Sequence, residues 1–317
     1  MKWSVSGSRM FFQCPRKWYY EAVFANSRAK DPERKEAFIL KQLQSIHAWR
    51  GKLVDQVIST FVVPRLNRHE TLDLKEILEH ANRLFETQLA FATARKYREA
   101  NIRKSDDESE ENYCALFELE YDGPLDQEVL KRARNEVVIS LTNLLHSGLI
   151  AQIAQDSSYL IAQRTVQFSF ADVNVQCTPD LIAFFEKIPP IIVDWKVQAP
   201  KHKEHFIQLG AYAYALSRVK PHRDFPTQWS STIADPTKIG LIEFQLLRNK
   251  ELRYSLTEED IVEIEDYIYK TSSRIQHMFN GNGDRSAQDP TQFPQAKSSK
   301  VCMWCKFKKI CWEDGLS

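Results

Sequence analysis

Two carboxylates and a lysine are spaced in this chain as metal-assisted chemistry on phosphate would need them. Asp180, in Thr178-Pro179-Asp180, is followed fourteen residues later by Asp194-Trp195-Lys196. Positions 194 and 196 differ by two, so on a strand they share a face. If 173–185 and 190–197 are adjacent antiparallel strands, a turn through Glu186–Pro189 sets Asp180 beside them. Hard oxygen ligands of this kind suit Mg²⁺ or Mn²⁺, held by a few carboxylates plus substrate phosphate. Such an ion acidifies an attacking water and neutralises charge on a phosphorane. A neighbouring lysine orients that water, or takes its proton if its own pKa is depressed. Spacing alone is equally satisfied by a salt bridge at a strand end.

A second constellation is Cys302-X2-Cys305-X5-Cys311, near the C-terminal end. Tetrahedral zinc and a cubane iron–sulfur cluster both need a fourth ligand. Cys14, in Cys-Pro-Arg-Lys-Trp-Tyr-Tyr, is the natural donor. Spacing divides the choice between zinc and iron–sulfur evenly. Cys114 and Cys177 read as ordinary buried thiols.

The elements that must hold these groups fall into two textures. Helical spacing runs through 7–24, where Pro15 suits an opening turn or a break, and through 35–61, 73–101 and 126–150. The acidic run at 104–112 reads as an exposed loop. From Tyr159 the pattern turns to strands at 159–170, 173–185 and 190–197, the last holding a short apolar run suited to burial. Residues 202–218 return to helix, with Phe206, Leu209, Ala213 and Leu216 on one face. Residues 239–247 and 251–256 form a hairpin around Asn249-Lys250, and Thr257-Glu-Glu-Asp opens a capped helix to about Phe279. The expected architecture is α/β, a small mixed central sheet wrapped by helices. Residues 62–158 form a mainly helical insertion, 159–279 the core, 280–300 a connector and 301–313 the cysteine cluster.

Composition bounds the partners. Hydrophobic residues at 43% with 27% charged describe a soluble globular chain able to bury a core. The net charge of +1 favours no partner, since 43 basic residues nearly balance 42 acidic ones. Local clusters differ: Lys196 to Arg223 holds six basic residues against Glu204 and no other acid, and Lys297 to Lys309 holds five lysines and no acid. These would serve a polyanion, or equally be solvated faces. No stretch approaches the ~20 apolar residues of a membrane span, and nothing suggests secretion. A cytoplasmic, reducing setting is expected, where six cysteines serve as ligands or core residues rather than disulfides. No Gly-X4-Gly-Lys-Ser/Thr segment is present, so a helicase activity would come from a partner.

The run Cys-Thr-Pro-Asp180 to Ile-Ile-Val-Asp194-Trp-Lys196 resembles the PD-(D/E)XK nuclease superfamily, and Gln208-Leu-Gly-Ala-Tyr212 resembles the Gln-X3-Tyr motif of its RecB-like branch. The resemblance implies Asp180, Asp194, Lys196, Gln208 and Tyr212 as catalytic residues, with Mg²⁺ or Mn²⁺ on Asp180 and Asp194. That branch carries a histidine ligand in a Gly-X3-His pattern. Here the matching stretch, Gly51-Lys-Leu-Val-Asp55, ends in aspartate, which could replace the imidazole. His47, rotated roughly 80° from Asp55 on a helix, fits less well, with a structural role beside Trp49 as its other reading. The lone N-terminal cysteine with three C-terminal ones is similar to the iron-staple nucleases: the AddB nuclease domain, the CRISPR-adaptation nuclease and the mitochondrial exonuclease. It implies a [4Fe–4S] cluster on Cys14, Cys302, Cys305 and Cys311, rather than Zn²⁺, within one nuclease domain spanning 1–317. The resemblance covers 8–20, 47–60, 175–215 and 301–312.

The implied activity is hydrolysis of DNA, as an exonuclease or end-processing nuclease on single-stranded or free ends, in repair or defence. A helicase or other DNA-processing protein is a possible partner. Arg16, Lys17, Trp18 and Tyr19 could lead a strand by charge and stacking, or the two aromatics could be core. The alternative function is a catalytically impaired nucleic-acid-binding or assembly module that keeps fold and cluster, with Asp55 in its favour.

Overall fold

The computed structural model describes residues 1–99, 111–198, 202–220, 235–279 and 288–312, with 223, 225, 226 and 229. Its strands are β1 (Lys2–Trp3), β2 (Tyr159–Ala162), β3 (Val166–Phe170), β4 (Val173–Cys177), β5 (Leu181–Phe184), β6 (Ile191–Lys196), β7 (Gly240–Gln245) and β8 (Lys250–Tyr254). The helices are α1 (Val5–Gln13), α2 (Pro15–Tyr19), α3 (Pro32–Lys41), α4 (Ile46–Val57), α5 (Val63–Asn67), α6 (Leu74–Thr93) and α7 (Phe117–Tyr121). They continue with α8 (Gln127–Leu145), α9 (Gly148–Asp156), α10 (His202–Arg218), α11 (Glu258–His277), α12 (Ser299–Met303) and α13 (Lys308–Cys311). Two compact units result, each gathered from three stretches of chain.

The first unit comprises Met1–Val5, Arg50–Phe85 and Gln127–Tyr269 and holds both sheets. One sheet has the order β2-β5-β6-β7-β8, antiparallel except for the parallel pair β6 and β7; the other has the order β1-β4-β3. Leu181, Ile182, Ala183 and Phe184 of β5 are all buried, as a strand covered on both faces requires. A parallel neighbour cannot be reached by a tight turn, so the chain crosses through α10 between β6 and β7. This helix lies against β3, β4, β6 and β7. Gly210 lets it sit close to α11, because a Cβ there would run into Ile264 Cδ1.

The stretches read as single strands at 159–170 and 173–185 are each two strands, in different sheets. Gln163 takes a left-handed φ of 51°, and the chain leaves the five-stranded sheet after β2 to form the β3–β4 hairpin. It returns through Thr178–Asp180 into β5. The imperfect alternation in the sequence is this change of sheet. The hairpin tip, Ala171 and Asp172, has φ of 48° and 58°, the mirror-image turn that matches strand twist but strains residues with a Cβ.

Helical runs are also interrupted where side chains can cap. Cys14 accepts the Lys17 N–H with Pro15 at the first helical position, dividing α1 from α2. Gln42–Ser45 divides α3 from α4, and Ser147 caps α9 by accepting the Ile150 N–H, dividing α8 from α9. Thr257 and Asp260 exchange bonds at the start of α11, the capping box read from the sequence. Residues 104–110 of the acidic loop and 280–287 of the connector lie outside the described residues; the rest of the connector holds a short turn at Pro290–Gln292 and the start of α12. Among the described residues no single helix is long and apolar enough to cross a membrane; α8 and α9 together, bent at 50°, meet the length and composition, and both bury residues in the first unit.

The second unit, Ser6–Trp49, Glu86–Asp126 and Lys270–Ser317, is helical in its described residues around an aromatic core. Trp18 packs edge-on to Phe11 and Phe279 at 5.5 and 5.8 Å, while Tyr19 stacks on Phe293 at 4.1 Å and Tyr20 on Phe307 at 5.3 Å.

Candidate active site

Asp194 and Lys196 project to one side of β6, and the ammonium pairs with Asp194 Oδ2. Leu181 lies opposite Val193, so Asp180, one residue earlier, falls opposite Asp194. Asp180 Oδ2 accepts the Trp195 N–H at 2.9 Å. The turn between β5 and β6 thus joins the two carboxylates as the sequence spacing required.

Asp55, on α4, joins them through a residue the motifs did not single out. Gln163 Nε2 donates to Asp55 Oδ1 and Oδ2 at 2.8 and 2.9 Å and to Asp180 Oδ1 at 3.1 Å. Its backbone N–H donates to the Asp180 carbonyl at 3.0 Å. The left-handed turn at Gln163 aims both groups at the same place. His47 is exposed and so forms no part of a core beside Trp49.

α10 supplies the third side. Gln208 and Tyr212 are one turn apart, and Gln208 Nε2 donates to Tyr212 Oη at 2.6 Å and reaches Asp194 Oδ1 at 3.4 Å. Gly210, about 200° around the helix from Gln208, faces α11 instead. His205, three residues before Gln208, is buried with Nε2 3.5 Å from both Asp194 Oδ2 and Glu243 Oε2. Glu243 is beside Asp194 in the parallel register of β6 and β7, and it accepts bonds from Gln245 at 2.7 Å and Tyr254 at 3.1 Å. The signals for these last residues are faint: His205 shares the face of Gln208, and Glu243 and Gln245 are polar positions inside an apolar strand.

Burial, reinforced by crowding of like charge, dominates the electrostatics. Burial, then the charge of Asp180, pushes the Asp55 carboxyl up to about 7. Burial, then the charge of Asp194, does the same to Asp180, also to about 7. Asp194 is raised by burial against the opposing pull of Lys196. Burial alone would lower Lys196, but Asp194 and Asp180 outweigh it and hold the ammonium above the ordinary lysine range. Tyr212 is raised by burial and then by Asp194, so it stays a phenol. Three carboxylates with one ammonium leave buried negative charge, and a divalent cation suits that donor set chemically. Yet among the described residues no three His, Cys, Asp or Glu side chains stand together as a ready metal shell. Gln163 spans Asp55 and Asp180, and Lys196 caps Asp194.

In the second unit, Cys14, Cys302, Cys305 and Cys311 line one hollow of about 310 Å³, part of it open to solvent. The Lys17 N–H donates to Cys14 Sγ at 3.4 Å and Gln295 Nε2 to Cys311 Sγ at 3.3 Å. Burial pushes the Cys305 thiol up to about 11 and raises Cys302 as well. None of the six cysteines forms a disulfide; Cys114 and Cys177 are buried, as expected. The neighbouring aromatics are core: Trp18 and Tyr19 are 5% and 0% exposed, and Tyr19 Oη donates to the Gln288 carbonyl at 2.6 Å. Arg16 donates to the Phe293 and Thr291 carbonyls. Of the four residues considered for leading a strand, the two rings are thereby closed to stacking.

A small mixed sheet that presents two carboxylates and a lysine from neighbouring strands, with Gln and Tyr on the crossover helix, defines a class of nucleases. A sequence model of the PD-(D/E)XK nuclease superfamily matches residues 2–312, and the chain belongs to that superfamily. Its substrate is therefore a nucleic acid. No curated protein matches the chain. A solved structure, that of SSO0001, aligns at 14% identity over 63% of this chain and 80% of that one, with a TM-score of 0.29, too low to bear on the assignment.

Proposed function

We propose that the chain is a divalent-metal-dependent DNA nuclease of the RecB-like branch, acting on single-stranded or free ends in an intracellular setting. The observation that carries this reading is the meeting of Asp180, Asp194 and Lys196, with Gln208 and Tyr212 behind Asp194. Asp180, Asp194 and Asp55 would hold Mg²⁺ or Mn²⁺, which supplies an acidified water and neutralises charge on the scissile phosphate. Lys196, held as an ammonium by Asp194 and Asp180 in the metal-free site, offers charge and donors to the phosphate and the attacking water. Gln208, fixed by Tyr212, holds one oxygen of Asp194, and His205 faces the other.

The test is cleavage of end-labelled single-stranded, duplex and flapped DNA with Mg²⁺ or Mn²⁺. Activity should vanish in chelator and fall at least about a hundredfold in Lys196→Ala, as loss of a group serving charge development does. Metal-independent cleavage, or cleavage untouched by Lys196→Ala, would refute the assignment. A non-catalytic binding module is the second reading, favoured by Asp55 at the branch's histidine position. Binding without cleavage of every substrate and with either metal would select it.

The same proposal gives Cys14, Cys302, Cys305 and Cys311 a [4Fe–4S] cluster. Four thiols around one hollow, with N–H donors on two sulfurs, support it. Anaerobically purified protein should be brown and Cys14→Ser paler; a colourless, zinc-loaded protein would select the zinc site instead. Helicase action, if coupled to cleavage, belongs to a partner chain.

A further inference from the structure

We propose that Trp304, with Met303, Lys300 and Lys308, forms a stacking platform for single-stranded nucleic acid on the second unit. Only the class of ligand rests on the nuclease reading; the surface itself is argued from its own side chains. Trp304 and Met303, between two of the cysteines, are 66% and 51% exposed. Large apolar side chains left in water side by side are what a binding surface requires. The indole does not hang loose: it packs against Phe117, ring centroids 5.8 Å apart, and Phe117 is itself buried. The indole is thus anchored at one side by core, tilted 41° to the Phe117 ring.

Cations frame it. Lys300 lies in the short helix α12, four positions before Trp304, which directly follows that helix. Lys308 Nζ sits 4.8 Å over the Phe117 ring and 4.3 Å over Tyr121, beside the ring that backs the indole. The other lysines nearby are neutralised, Lys306 by Glu21 and Lys309 by Glu36. Among the described residues no carboxylate pairs with Lys300 or Lys308. An exposed aromatic ring beside cations that no described carboxylate neutralises, with Lys308 Nζ donating also to the Met303 carbonyl at 3.4 Å, matches the charge-plus-stacking design of single-strand binders. A protein-binding patch instead tends to exclude lysine from its centre. Trp18 and Tyr19, the rings whose sequence context suggested stacking, are buried, so Trp304 takes that role.

The experiment is anisotropy of an end-labelled oligothymidylate bound by the full chain in chelator, repeated across salt concentrations. Trp304→Ala should weaken binding roughly ten- to a hundredfold, as loss of one stacked base does. Trp304→Phe should restore most of it, whereas Trp304→Leu, with bulk but no ring face, should not. Lys308→Ala should make the plot of log affinity against log salt shallower by about 0.7, one phosphate contact on a single strand. Unchanged affinity in Trp304→Ala overturns the platform, as does a leucine variant equal to wild type. So does a Trp304→Ala variant that binds the oligonucleotide normally but fails to retain a protein partner. Trp304-dependent binding without any cleavage would leave the platform standing and remove the nuclease. Lys196-dependent cleavage with Trp304-independent affinity would do the reverse.

Discussion

At the scale of single residues the site is governed by burial of its carboxyls and, after that, by their mutual repulsion. Asp55 and Asp180 keep their protons to about 7, well beyond where an unfolded chain releases them. A raised carboxyl pKa contributes stability that is full below the unfolded value, near 4, and is lost as pH rises toward 7. In chelator the melting temperature of the metal-free chain should therefore fall between about pH 4 and pH 7. Asp180→Asn should flatten that fall and melt higher at the alkaline end, and thermal scans across pH would check it. A separate expectation concerns His205, which faces Asp194 from behind while Glu243 holds its other contact. His205→Ala should raise the Mn²⁺ concentration for half-maximal cleavage about ten- to a hundredfold, the usual cost of removing a group that orients a metal ligand. His205→Gln should recover part of it; a metal titration that does not move would remove the positioning role. Asp180, Asp194, Lys196, Gln208 and Tyr212 were legible through their resemblance to the superfamily motifs; spacings of two on a strand and four on a helix then indicated which of them share a face. Gln163 and Glu243 were not, since one depends on a left-handed backbone and the other on a parallel register across a long crossover.

At the scale of elements, the sequence showed where helix gives way to strand but not where a run is cut. Periodicity reports a face, and it cannot report that β2 and β3 present their faces to different sheets. The short-range signals that did mark the cuts were Cys14-Pro15, a capping residue followed by proline, and Ser147. The β3–β4 tip shows a local choice at odds with its geometry. Ala171 and Asp172 both adopt positive φ, which costs on the order of 1 kcal/mol for a residue with a Cβ. Replacing Ala171-Asp172 by Asn-Gly, the pair such a turn prefers, should stabilise the protein by about 1 kcal/mol. A denaturant midpoint that fails to rise would show that the tip is not strained.

At the scale of the whole molecule, distant segments of chain build the second unit. Tyr19 meets Gln288 and Tyr20 donates to the Ile310 carbonyl, pairs separated by 269 and 290 positions. Only the cysteines announced that closure in the sequence; the stacked rings gave no such sign, because an aromatic residue does not name its partner. Deleting residues 288–317 should expose Trp18, Tyr19 and Tyr20 and abolish cooperative melting of this unit, read as lost near-ultraviolet circular dichroism and increased dye binding. The first unit contains a different economy of form. The β3–β4 hairpin leaves the five-stranded sheet at Gln163 and comes back at Asp180, and the Gln163 amide closes on the Asp180 carbonyl like a clasp. The carboxylates feel this excursion through its neck and through α10, against which β3 and β4 lie. Length added at the outer tip would change what the molecule reaches toward while leaving its cutting edge where it was.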